Sequence, residues 1–427
     1  MEKIFKLSQE YIDCLDEIEY SREHLFITGK AGTGKSTLLD LFRRTTSKNV
    51  VILAPTGIAA LKVHGQTIHS FFKFPPRLIL PSDIKYTPSL KRIVNKLEIL
   101  ILDEISMVRA DILDGINRIL QLHRNNSKPF GGIRLVAFGD IYQLPPIVSS
   151  AEERHFFQNN YTSAYFFASE IWQQLHNMRY INLSKVYRQT DRSFIRLLDE
   201  IRMGDIDYDS LTALNENVDP DFDQEGYIYL SPRNATMQRI NQQKLAELPN
   251  EERTYLPTIT GEYNPNNMPI DPVLRIKVGA QVIFVKNDPD KEYVNGSLGI
   301  VTDLDTNLIR IRLNHDDKEV TIGRATWDMI RYRLDPDADA QIKPEVVGTL
   351  EAFPVKLAWA MSIHKSQGQT FEKVILDMEG GAFEFGQTYV ALSRCTTLEG
   401  IVLKKPLRQR DIMVDQRVVD FYINHFR

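Results

Sequence analysis

The sequence predicts an α/β protein made of two parallel-sheet domains, the second interrupted by a small all-β module. Three observations predict it. Short apolar runs alternate with helical patterns from the start to about residue 183, and the same alternation resumes near Val186. Between about Glu251 and Pro344 the texture changes to short β-like runs punctuated by turn signals. The 427 residues, at roughly 100–200 per domain, leave room for two or more domains, each with its own core.

Ahead of the first strand, Tyr11, Leu15 and Ile18 fall at helical spacing. Leu25–Thr28, Val50–Ala54, Leu97–Leu102, Arg134–Phe138 and Tyr180–Leu183 read as buried strands, and the helices between them make the sheet parallel. This assigns residues 1–185 to the first domain. The second, 186–427, opens on an amphipathic helix marked by Phe194, Leu197, Leu198 and Ile201 and ended near Gly204. Tyr227–Ser231 is its next strand. The β module covers about 251–345, with strand runs at Gln281–Lys286, Leu298–Thr302, Leu308–Leu313 and Val320–Ile322 and a turn at Asn295-Gly296. Lys356–Ala360 and Lys373–Asp377 then return to the parallel pattern.

Composition excludes several classes. With 43% hydrophobic and 25% charged residues the chain is neither disordered, collagenous nor coiled coil. No run approaches the ~20 apolar residues of a membrane span. The start, MEKIFKLSQEYIDCLDEIEY, lacks a secretory or transit pattern, so a cytoplasmic protein is expected. Cys14 and Cys395 are too few for a disulfide framework or a cysteine zinc cage, which suits a reducing compartment. A net charge of −4 argues against general nucleic-acid binding, but the charge is uneven. Asp199–Glu225 holds ten acidic residues and one basic, whereas Lys73–Arg92 holds five basic and one acidic, so a local basic groove is compatible with the sum.

Phe26–Thr37 reads FITGKAGTGKST, in which Gly29-Lys30-Ala31-Gly32-Thr33-Gly34-Lys35-Ser36 has phosphate-loop spacing between a strand and a helix. Glycines let backbone N–H groups curl round phosphate oxygens, and the helix N-terminus adds positive potential. Lys35 is expected to reach the β- and γ-phosphates and Ser36 to ligate Mg²⁺, with Thr37 closing the motif. Leu97–Glu104, LEILILDE, is an apolar strand ending in two carboxylates. Asp103 is expected to face the metal and Glu104 to orient or deprotonate water. Without a phosphate loop about 70 residues upstream, such a strand end would as often be an ordinary exposed one. In Gly139–Pro146, GDIYQLPP, Gln143 follows a strand and is placed to sense the γ-phosphate, with Pro145-Pro146 fixing its loop. The bland reading is a rigid polar turn.

GKAGTGKST, APTGIAALKVHGQTIHSFF, LDEISM, GDIYQLPP, VYRQ, SIHKSQGQT and YVALSRC occur in one order over nearly the whole chain. This order resembles the 5′→3′ branch of superfamily I DNA helicases, which includes RecD and Dda. Within it, RQTDRSFIRLLDEIRMGD (Arg188–Asp205) is similar to the signature of the Pif (petite integration frequency) family in a compact bacterial form, and VGAQVIFVKND followed by VNGSLGIV (Val278–Val301) to that family's β insertion. The resemblance implies two RecA-like P-loop NTPase domains, with a wedge insertion at about 64–92 in the first and a barrel-like β insertion in the second. It implies ATP- and Mg²⁺-dependent 5′→3′ translocation on single-stranded DNA with duplex unwinding. Roles in repair, recombination and telomere maintenance follow from the same likeness, as does a bacterial, nucleoid-associated location. Arg188 and Arg394 match the family's arginine fingers, where a planar permanent cation neutralises the moving phosphoryl group. Gly368 matches a backbone contact to nucleotide. The family's adenine-reading Gln is replaced by Tyr11, so either Gln9 takes the role by a register shift or Tyr11 stacks on the base.

The same resemblance places single-stranded DNA on Pro55, Thr56, Gly57, Thr67, His69 and Phe72 of the first domain and on His364, Lys365 and Ser366 of the second. Hydroxyls, backbone N–H groups and a point charge hold phosphates, and flat faces pack on bases. Phe71 and Phe72 read equally well as core. Lys73–Arg92, with Pro75, Pro76, Pro81 and Pro88, is expected to be the wedge that splits base pairs, against the alternative of a disordered surface loop. His64 and His69 lack a partner at metal-ligand spacing. The expected partners are single-stranded and forked DNA, with a monomer in solution, room for more than one copy on DNA, and no membrane. The rival functions are a translocase that does not separate strands and an ATP-gated DNA-binding module. Pro75-Pro76 would be idle in the first, and Glu104, Arg188 and Arg394 in the second.

Overall fold

The computed structural model describes residues 7–263, 268–314, 316–335 and 341–426. The first unit is built on β1 (His24–Gly29), β2 (Val50–Ala54), β3 (Gln66–Thr67), β4 (Ile99–Leu102), β5 (Arg134–Phe138) and β6 (Met178–Leu183). They form one parallel sheet in the order β3-β2-β4-β5-β1-β6. The inner strands β1, β4 and β5 are buried throughout, as strands covered by helices on both faces must be. Because all six run the same way, their carboxyl ends share one edge. The glycine loop after β1, Asp103 after β4 and Gly139 after β5 therefore meet there. The two-residue β3 was not foreseen.

The second unit has its own parallel sheet, β18-β7-β19-β20, from β7 (Ile228–Ser231), β18 (Ala360–Ser362), β19 (Val374–Leu376) and β20 (Ile401–Leu403). Its opening helix, Arg192–Met203, stops at Gly204 in the left-handed region (φ 72°), where the amphipathic pattern ends.

Between β7 and β18 lie antiparallel strands: β8 (Arg253–Tyr255), β9 (Thr258–Gly261), β10 (Leu274–Ile276), β11 (Gln281–Phe284), β12 (Leu298–Leu304), β13 (Ile309–Leu313), β14 (Glu319–Ile322), β15 (Ala325–Leu334), β16 (Ile342–Ala352) and β17 (Val355–Leu357). They make sheets β14-β13-β12-β11-β17, β15-β16-β9 and β10-β8. In β13 the isoleucines and Leu313 point inward while Arg310 and Arg312 point to solvent, the alternation of a sheet with one wet face. The expected strand Lys356–Ala360 is corrected. Its first residues pair antiparallel with β11, and only from Ala360 does the chain join the parallel sheet. Gln281, 1% exposed, enforces the switch by donating its side-chain amide to the carbonyls of Ala358 and Tyr227.

Two contacts bring the later chain back onto the first unit. The long ribbon β15–β16 sets Tyr332 against the backbone of Ile52 (3.1 Å from its N–H) and the ring of Phe71. The last helix, Gln416–Phe426, lays Phe421 on Phe167 (4.5 Å, stacked) and Tyr422 on Asn182 (2.9 Å). Among the described residues no helix is long and apolar enough to cross a membrane.

Candidate nucleotide cleft and nucleic-acid interface

The loop Lys30–Gly34 turns through two left-handed glycines, Gly32 (φ 82°) and Gly34 (φ 77°), where a side chain would be strained. Each is also pressed from outside. A Cβ on Gly32 would come within 2.5 Å of Arg188 Cβ, and one on Gly34 within 1.9 Å of the Tyr11 hydroxyl. Lys35, first residue of the helix Lys35–Thr45, donates to the carbonyls of Gly29 (2.6 Å) and Lys30 (3.1 Å). Burial pulls its pKa down, opposed by the charges of Asp140 and Glu104. Thr33 is fully buried, its hydroxyl on the Lys30 carbonyl.

Asp103 is 5% exposed, and burial, then the Glu104 charge, push its carboxyl up. Glu104 is a non-glycine residue in the left-handed region (φ 50°), a strained conformation of the sort concentrated at functional sites. Gly139, where a Cβ would meet the Ile105 amide at 3.1 Å, leaves room for this turn. Among the described residues no group of three or more His, Cys, Asp or Glu could hold a metal alone. One hydroxyl (Ser36) and one buried carboxylate (Asp103) instead suit a hard cation that takes its other ligands from phosphate and water.

The opposite wall comes from the second unit. Lys35, Ser36, Thr37, Lys62, Glu104 and Gln143 face Tyr187, Arg188, Gly368, Thr370 and Arg394 across a cavity of about 490 Å³, floored by Ala31, Gly32 and Gly34. Arg188 donates to the Ser393 carbonyl (3.0 Å), and Arg394 to the Val390 carbonyl (2.8 Å) and the Ser393 hydroxyl (2.8 Å). All of these acceptors are neutral, although Arg394 is 1% exposed. Burial draws Arg394 down to about 10, and burial with the neighbouring Arg394 charge draws Arg188 down to about 9. Two poorly solvated cations beside a glycine-rich loop make a site for a multiply charged anion.

A buried network joins the walls, and sequence reasoning missed it. Tyr389 accepts from the Ala31 N–H (2.9 Å) and donates to Asp140 (3.1 Å). Asp140 also takes the Gln143 amide (3.2 Å) and pairs with Arg202 (3.3 Å), whose guanidinium lies over Tyr142 (4.1 Å). Arg202 holds Asp140 below the usual carboxylate range although burial opposes it. Gln143 in turn accepts from Gln367 (3.2 Å), beside the second expected DNA contact. Asp140, Arg202 and Tyr389 all sit inside the motifs quoted above; that they meet had no local sign. Lys62 was also missed. Its ammonium lies 2.9 Å from where a Cβ on Gly368 would be.

Gln9, one of the two expected adenine readers, stands outside the phosphate cavity. It is exposed, and its amide is held by Asp13 (2.7 Å). Tyr11 offers no stacking face. It is 2% exposed beneath the loop, its hydroxyl on the Thr33 carbonyl at 2.6 Å. The aromatic at the cleft is Tyr187, edge-on to Tyr11 at 5.7 Å.

The expected DNA contacts divide. Thr56 and Thr67 cap short helices through their hydroxyl oxygens, with Pro55 and Gly57 beside Thr56. His69 is half-buried, and burial lowers its pKa. Lys365 is exposed, and His364 is held by Glu384 (2.7 Å). Two assignments are corrected. Phe72, 2% exposed, stacks on Phe74 at 5.4 Å and is core. Ser366 is fully buried, its hydroxyl donating to the Ile363 carbonyl (2.7 Å). Pro75 and Pro76 open a braced segment, not a loose loop. Arg77 grips Asp83 by two hydrogen bonds (2.7 and 2.8 Å), Asp111 holds the Ile79 N–H, and Tyr86 stacks on His123.

Fold and cleft together define a two-unit phosphate-loop nucleoside triphosphatase with its site between the units. A family model described as PIF1-like helicase matches residues 6–211. The ATP-dependent DNA helicase Pif1 of Bdellovibrio bacteriovorus is 34% identical over 98% of this chain and 92% of its own length. The Danio rerio helicase PIF1 is 33% identical over 98% of this chain, which spans 64% of that longer protein. A Bacteroides Pif1 solved with ADP-AlF4 superposes at TM-score 0.91 with 37% identity, over 99% of this chain and 98% of that one. The Bacteroides Pif1 with ADP-AlF3 and single-stranded DNA superposes at 0.69, with the same identity and coverage. The chain belongs to the PIF1-like helicase family.

Proposed function

We propose that this chain is an ATP-dependent DNA helicase that moves 5′→3′ along single-stranded DNA and opens forked duplexes ahead of it. The observation that carries the reading is the cleft itself: Lys35, Glu104 and Gln143 on one wall and Arg188 and Arg394 on the other. Hydrolysis by such a cleft is coupled to closure, since neither wall is complete alone.

Lys35 and the loop amides bind the β- and γ-phosphates, Glu104 accepts a proton from the attacking water, and the two arginines neutralise charge on the γ-phosphoryl group. Ser36 and Asp103 would hold Mg²⁺, which when bound supplies further charge neutralisation. Gln143 hydrogen-bonds both Asp140 and Gln367, so a shift at the phosphates displaces the segment that carries His364 and Lys365. Thr56 and Thr67 on one unit and Lys365 on the other grip the strand alternately as the cleft opens and closes. The braced Lys73–Arg92 segment, with Pro75 and Pro76 at its start, is stiff enough to serve as the wedge.

The test is ATP turnover with and without single-stranded DNA, and unwinding of 5′- and 3′-tailed duplexes in parallel. Strong stimulation and unwinding of the 5′-tailed substrate alone are expected. Unwinding from the 3′ tail would overturn the direction, and turnover indifferent to DNA would overturn the coupling.

A further inference from the structure

Of the chain's 21 phenylalanines, Phe383 is the only one among the described residues more than half exposed, at 57%. A bare phenyl on a floppy loop would mean little. This loop is pinned at both ends. Glu379, in the left-handed region (φ 53°), is held by Ser231 (2.6 Å) and Arg233 (3.1 Å). Gly386 (φ 72°) donates to the Met413 carbonyl (2.9 Å) and lies so close to the first unit that a Cβ would sit 2.4 Å from the Tyr142 carbonyl. The Phe383 N–H itself is capped by Gln387 (3.2 Å), a fully buried side chain. The exposed ring thus sits on a backbone anchored on both sides rather than on a free loop.

Its position gives the exposure a use. The next residue, Glu384, reaches His364 at 2.7 Å, so its carboxylate faces the imidazole. On its other flank the loop abuts Tyr142 and Gln143 of GDIYQLPP. The loop that carries Phe383 therefore runs along the seam between the units, beside the second unit's grip. A strand held by both units must cross that seam.

We propose that Phe383 is a stacking platform for one base of the single strand as it passes from one unit to the other. The inference rests on the helicase reading above. A phenyl face accepts any base, which suits a motor that must not read sequence.

Anisotropy titrations test it, using a labelled oligothymidylate no longer than the binding site and a set in which one abasic residue is moved along it. Phe383→Ala should weaken binding of the intact strand roughly 5- to 150-fold, the usual worth of one base–aromatic stack. The slope of affinity against salt should not change, because no phosphate contact is lost. Phe383→Trp should restore binding. At one abasic position the wild type should lose as much as the variant already has, and the variant should lose nothing more. Binding by Phe383→Ala within twofold of wild type, or equal abasic penalties in both proteins at every position, would overturn the proposal. A wild type that fails to bind the strand at all would overturn the helicase reading instead. A matching thermal melt excludes misfolding.

Discussion

The nucleotide cleft and the DNA grip are built on opposite principles. In the cleft each role needs one residue type in one place: an ammonium in a glycine loop, a carboxylate at a strand end, a guanidinium facing both. Lys35, Glu104, Gln143, Arg188 and Arg394 accordingly line one cavity. On the DNA side any hydroxyl, amide or flat ring serves, and the expected residues scatter. Lys365 is free in solvent, His364 is tethered to Glu384, and Phe72 and Ser366 are buried. Chemistry that demands a particular functional group writes itself into spacing, whereas a sequence-blind surface does not.

Substitutions can break or sharpen this contrast. The largest effect is expected at Lys35→Ala, which should nearly abolish ATP turnover while strand binding persists, measured by phosphate release and anisotropy. Turnover within twofold of wild type would remove Lys35 from the cleft chemistry. Arg188→Ala and Arg394→Ala should each lower DNA-stimulated kcat by roughly 10³–10⁵, as arginine fingers do elsewhere. Normal hydrolysis on saturating DNA would make that arginine a structural one.

Pro75→Gly with Pro76→Gly should leave stimulated turnover near normal and cut unwinding steeply, more on GC-rich duplexes, since each base-pair step resists by about 1.4 kcal/mol. Equal losses in both assays would point to misfolding or a weakened grip. Lys365→Ala should flatten the log–log salt dependence of strand binding by about 0.7, the share of one single-strand phosphate contact. The smallest effect belongs to Ser366→Ala. Its buried hydroxyl is worth about 1 kcal/mol of stability, so the melting temperature should fall slightly while strand affinity stays within twofold. A larger loss of affinity would return Ser366 to the interface.

The same reasoning explains how much of the molecule was legible. The parallel sheet could be read because buried strands such as Ile99–Leu102 are continuous apolar runs between helical patterns. The stretch Lys356–Ala360 misled because one run serves two sheets, and what divides it is Gln281, about 75 residues away in sequence. Asp140, Tyr389 and Arg202 stand in visible motifs, yet a contact spanning 249 residues leaves no periodicity to find. Phe72 failed for a plainer reason: an aromatic at helical spacing looks the same whether it faces a base or a core.

The return of Phe421 and Tyr422 to the first sheet has a mechanical consequence. The chain leaves the first unit after Leu183, and the Gln416–Phe426 helix comes back one residue away, at Asn182. Departure and return therefore lie on one strand, like the two leaves of a single hinge. The contacts made far from that strand, Tyr332 on Ile52 and Tyr389 on Asp140, are the latches that opening of the cleft has to strain.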